Sequence, residues 1–156
     1  MEWIELKTLY TIAHIFGAVL GAGAAFVSDA LFFASARDRV FRTTELRFLR
    51  ICSTFVWIGL GLLLISGALL FSLDPAGYLA SDKFLIKMVV VLTLTVNGVI
   101  FHVSHIPRLM RHEGEHYPSS EEFRRAKPFL IASGTVSATS WALALVLGLL
   151  PTIPIP

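Results

Sequence analysis

The chain has 156 residues, of which 55% are hydrophobic and 15% charged, against roughly 45–50% and 25% in an ordinary soluble domain. A mean hydropathy of +0.73 excludes a soluble enzyme domain, and a formal net charge of only +2 supplies no basic field for nucleic acid. The single cysteine, Cys52, excludes an internal disulfide framework and any multi-cysteine metal or iron–sulfur site on one chain.

At about 20 apolar residues per crossing, the length allows four membrane helices and little else. The first apolar stretch runs from Thr8 to Phe33 and follows Glu2, Glu5 and Lys7. A secretory signal would open on basic residues and carry a shorter apolar region, so a retained helix is expected. The second span runs from Ile51 to Leu73 and ends at Asp74 and Pro75. The third runs from Phe84 to Val103 and is stopped by Pro107, and the fourth from Phe129 to Leu150, stopped by Pro151. No stretch alternates in the manner of a barrel strand, and backbone polar groups in hydrocarbon must be satisfied internally. The expected fold is an all-α integral membrane protein, a four-transmembrane-helix bundle forming one membrane domain over residues 1–156.

Lysine and arginine set the orientation, because positively charged loops stay in the cytoplasm. Arg37, Arg39, Arg42, Arg47 and Arg50 lie between the first and second spans, and Arg108, Arg111, Arg124, Arg125 and Lys127 between the third and fourth. Two basic cytoplasmic loops, with both termini outside a bacterial inner membrane, are expected. Small residues form the contact stripes that membrane helices need, since lipid gives apolar side chains no reason to prefer one another. These are Gly17, Ala18, Gly21, Ala22 and Ala25 in the first span, Gly59, Ser66 and Gly67 in the second, and Ser133, Ser137 and Ser140 in the fourth.

Ionisable residues inside membrane helices are costly and mark pathways or ligands. Here they form two layers. In the outer layer, His14 and Lys87 come to similar depths at about 1.5 Å per residue, so they meet if the first and third helices are neighbours. His14 also shares a stripe with Ala18, Gly21 and Ala25, which suits a flat ligand such as a porphyrin. Imidazole is a usual axial ligand of haem iron, and a nearby lysine can pair with a propionate or approach the iron. The alternative is a snorkelling lysine and a hydrogen-bonded histidine. In the inner layer, Asp29, His102 and His105 are candidates for a metal ion, a second cofactor, a proton path or plain interfacial residues. His14 and His102 differ in depth by roughly 18 Å, too far to share one haem. Asn97 and Ser66 are expected to bond between helices, and Cys52 to fill a small apolar space.

His112, Glu113, Gly114, Glu115 and His116 satisfy the spacing of a zinc-protease helix. Gly114 at the centre and Pro118 beyond oppose that helix, and a solvated linker explains the stretch more economically.

The segment from Leu9 to Phe33 carries an early histidine (Ala13, His14, Ile15). Together with the run DKFLIKMVVVLTLTVNGVIFH from Asp82 to His102, it resembles small haem b membrane proteins: the HemJ-type protoporphyrinogen oxidases and the membrane domain of CopD-type copper-resistance proteins. The resemblance covers about half of the chain. It implies His14 as the axial haem ligand, Lys87 as a second functional residue and His102 as a secondary candidate. Ser28 to Phe33 lacks the arginine and tyrosine of the oxidase group, so the resemblance implies haem binding more than that particular reaction. The expected function is a haem b protein that moves electrons or oxidises a membrane-associated substrate, with a quinone or redox protein as partner and homo-oligomerisation open. The competing expectation is a cofactor-free transport, proton-pathway or accessory subunit, with a zinc-dependent protease behind both.

Overall fold

The computed structural model describes residues 2–38, 42–104, 107 and 120–150. The chain forms α1 (Glu2–Asp38), α2 (Thr43–Leu73), a one-turn α3 (Pro75–Leu79), α4 (Asp82–Ser104) and α5 (Glu121–Leu149). Four of these, α1, α2, α4 and α5, are long and apolar enough to cross a membrane, and no strand occurs among the described residues. The fold is the expected four-helix membrane bundle.

The helices extend beyond their apolar stretches wherever a cap and an apolar contact exist. Residue Arg42, extended at φ −79° and ψ 147°, precedes α2, and its backbone N–H donates to Glu45 Oε2 at 2.9 Å. This satisfies a backbone donor that the helix start would otherwise leave open. The extra turns bury Leu46 and Leu49 against Phe32, Phe123 and Leu130, which is why α2 begins eight residues before the apolar run. At the start of α5, Ser120 Oγ accepts from Phe123 N at 3.1 Å, while Glu121 and Glu122 occupy the first turn, where acidic side chains favour the helix dipole. The helix continues through Pro128, which cannot donate a backbone hydrogen bond. Between α2 and α4, Pro75 occupies the first turn of α3, and Asp74 Oδ1 accepts from Gly77 N at 3.0 Å. The pair expected only to stop a helix therefore also starts a new one.

Packing follows the small residues. A Cβ on Gly59 would stand 2.5 Å from Gly21 N and 2.7 Å from Gly17 O, so α1 and α2 touch backbone to backbone. On the other side of α1, the Trp141 indole from α5 covers Gly21 and is 1% exposed. Ala22, Ala25, Leu60, Leu63, Val91, Leu94 and Trp141 form one core cluster. A second joins α1, α2 and α5 at the end carrying Arg42, Arg47 and Arg50, called here the basic end. Helix α4 packs on α5, and α5 on α1, whereas α1 and α4 have almost no backbone contact. Outward-facing Ile65, Val89, Leu92 and Val103 are about two-thirds exposed, an apolar coat that fits a lipid bilayer.

Candidate functional site: a three-helix polar junction at His14

Away from the basic end, the bundle interior holds one polar junction built from three helices. Ser66 of α2 donates its hydroxyl hydrogen back to the carbonyl of its own helix, at 2.5 Å from Leu62 O and 3.3 Å from Leu63 O. A serine hydroxyl has one hydrogen, so its oxygen is left to accept. His14 Nδ1 lies 3.0 Å from that oxygen, and with the hydroxyl hydrogen directed to the helix carbonyl the ring proton is assigned to Nδ1. The other nitrogen, Nε2, then carries the lone pair, and it accepts from Lys87 Nζ of α4 at 3.1 Å. With that assignment, donation runs from Lys87 to His14 to Ser66 to the α2 backbone.

Local sequence explains how the junction assembles. Gly67, next to Ser66, makes room for the ring, since a Cβ there would stand 3.3 Å from His14 Cε1. Gly17, one turn beyond His14, lets α1 approach Gly59, Leu62 and Leu63 of α2. Lys83, one turn before Lys87, donates to the carbonyl of Leu150 at the end of α5. Adjacent lysines thereby tie α4 to two different helices. Because α1 and α4 barely meet through backbone, the Lys87–His14 bond is their link at this level.

His14 and Lys87, named together from depth alone, are therefore in direct contact. The small residues near His14 do not leave an open slot: Gly17 is filled by α2, Gly21 by Trp141, and Ala22 and Ala25 by the core. Sequence reasoning placed Ser66 among interhelical bonders without identifying its partner.

The inner candidates do not gather in the same way. His102 presents its ring to Trp57, with centroids 5.9 Å apart and planes at 86°. Asp29 instead faces α5, with Oδ1 3.8 Å from where a Cβ on Gly134 would lie. His105 and the His112–His116 stretch fall outside the described residues. Among the described residues, no three His, Cys, Asp or Glu side chains come close enough together to hold a metal ion. Asn97 and Ser133 form a reciprocal clamp between α4 and α5: Asn97 Nδ2 donates to Ser133 O at 3.0 Å and Ser133 Oγ donates to Asn97 Oδ1 at 2.9 Å. Cys52 is free and buried.

No family model, curated protein or solved structure matches the chain.

Proposed function

We propose that this chain is a haem b-binding membrane protein in which His14 is the axial ligand and Lys87 the second functional residue of the site. In this reading it passes electrons to or from a quinone, another membrane-associated substrate or a redox partner. The observation that carries the reading is the pair of contacts made by the His14 ring, Nδ1 at 3.0 Å from Ser66 Oγ and Nε2 at 3.1 Å from Lys87 Nζ. An imidazole with Nδ1–H held by a fixed acceptor and Nε2 left as the donor atom has the form in which histidine binds a metal, with an outer hydrogen bond fixing the ring and raising its basicity. The donor set fits haem in its chemistry: a neutral imidazole nitrogen beside an amine that can pair with a propionate or itself approach the iron. Binding requires Lys87 to release Nε2. When bound, the haem supplies one-electron chemistry, while the chain supplies ligation, burial and the Ser66 bond that tune it. The clusters of arginine and lysine support a bacterial inner-membrane setting with the basic loops in the cytoplasm and both termini outside. Purification in mild detergent after expression with ample haem, followed by oxidised and dithionite-reduced absorption spectra, tests the proposal. A Soret band with reduced-state α and β bands, lost in His14→Ala, is expected; a colourless wild-type protein overturns it.

A second reading, a cofactor-free proton pathway, draws support from Asp29, whose buried Oδ2 has no hydrogen-bond partner. In that reading the His14 junction only holds three helices together, and the same spectra separate the two.

A further inference from the structure

Asp29 lies 15 residues after His14 on α1, about 22 Å along the helix axis, and is not part of the polar junction. It borders a crevice of about 40 Å³ whose wall includes Ser28, Arg50, Ser53, Phe101, Leu130 and Gly134. Its Oδ2 is buried and without a hydrogen-bond partner. Gly134 of α5 leaves the space into which the carboxyl projects.

A buried carboxylate oxygen with no donor is strongly unfavourable if the group is ionised. A proton, a cation or a water donor must satisfy it. A metal ion wants four or more oxygen or nitrogen ligands, and here the remaining wall offers two hydroxyls, Ser28 and Ser53, with the cationic Arg50 among otherwise apolar side chains. The volume admits a water or two and little more. Among the described residues, the charged groups near Asp29 are these. On its own helix the next basic residue is Arg37, two turns away and exposed. From α2, Arg50 forms part of the wall but makes no bond to Oδ2. From α4 the wall residue is Phe101, and the neighbouring His102 faces Trp57. From α5 the wall residues are Leu130 and Gly134, with Lys127 two turns before Gly134 and exposed.

We propose that this crevice is a proton-binding site in which the Asp29 carboxyl takes up a proton from, and returns it to, the basic end of the bundle. The protonated carboxyl is neutral, fits an apolar wall and becomes a donor itself. Arg50, exposed and in the wall, links the crevice to the surface. The site is independent of whether haem binds at His14.

Infrared spectra of the full chain in lipid vesicles, recording the carbonyl stretch of a protonated carboxyl, test the proposal. The expected result is a band at neutral pH that moves in Asp29→Glu, disappears in Asp29→Asn and fades in the wild type as the pH is raised. Replacing choline by Na⁺ at constant ionic strength should leave it unchanged. Absence of the band at neutral pH, or a band indifferent to both variants, overturns the proposal. A band abolished by Na⁺ also overturns it, making an alkali-metal ion the occupant. Should the variants fail to fold, a hydrophobic carbodiimide applied to wild-type vesicles reads the same state. Its nitrogen takes the carboxyl proton while the carboxyl oxygen adds to its central carbon, and peptide mass spectrometry locates the adduct. An adduct at Asp29 at neutral pH, declining as pH rises, supports the proposal; its absence overturns it.

Discussion

Gly59→Ala should be among the most damaging conservative changes in the chain. The added Cβ would lie 2.5 Å from Gly21 N, 2.6 Å from Gly21 Cα and 2.7 Å from Gly17 O, where ordinary contact begins at 3.4 Å. The obstructing atoms are backbone and cannot rotate away, so α1 and α2 must separate by about 1 Å. Overpacking of this kind costs about 1–3 kcal/mol, and a backbone obstacle argues for the upper end. The same displacement stretches the His14–Ser66 bond from 3.0 Å to about 4 Å, beyond hydrogen-bonding range, which adds about 0.6 kcal/mol. The total, about 3 kcal/mol, corresponds to roughly a 100-fold fall in the folded-to-unfolded ratio. Equilibrium unfolding in mixed micelles of mild detergent and dodecyl sulfate, followed by tryptophan fluorescence, measures it. Gly61→Ala is the matched control, because a Cβ there meets nothing within 4 Å and any helix-propensity difference is common to both variants. Equal stabilities for the two variants would refute the claim that the α1–α2 backbone contact positions the junction.

The Ser66→Ala variant removes the acceptor of His14 Nδ1–H while leaving the ring in place. Under the haem proposal, haem retention, measured by transfer to an acceptor globin, should weaken by about 10- to 100-fold, with partial recovery in Ser66→Thr. Breaking the α4–α5 clamp by Asn97→Leu should cost about 1 kcal/mol, two interhelical bonds at about 0.6 kcal/mol each. Adding Ser133→Ala should then cost little more, a non-additivity that unfolding of the double mutant reads directly. Gly21→Ala should destabilise the wild type, because its Cβ meets the Trp141 indole. Trp141→Ala, itself costing about 3–5 kcal/mol, should make the Gly21 substitution nearly neutral, as the same unfolding assay can show.

The fold class, the four spans and the small-residue stripes could be read from the chain because they depend on local composition. An apolar run of sufficient length must close its backbone hydrogen bonds within a helix wherever it crosses lipid. The meeting of His14 with Lys87 was also legible, since helix rise converts residue number into depth. Depth says nothing of rotation about the helix axis, however, and rotation decides partners. Asp29 and His102 belong to one layer by depth, yet Gly134 gives Asp29 its space on α5 and Trp57 takes the ring of His102. Ser66 carries no mark as the partner of His14. That role arises because Gly17 and Gly59 bring α1 against α2 in one register. The helix ends differ from the apolar boundaries for a similar reason: Leu46, Leu49 and Phe123 become buried only when α1, α2 and α5 converge. Residue type and spacing therefore determined how many helices form and at what depth their polar groups lie. Tertiary packing alone decided which faces turn toward each other, because in lipid that choice rests on close contacts between particular surfaces and not on hydrophobicity.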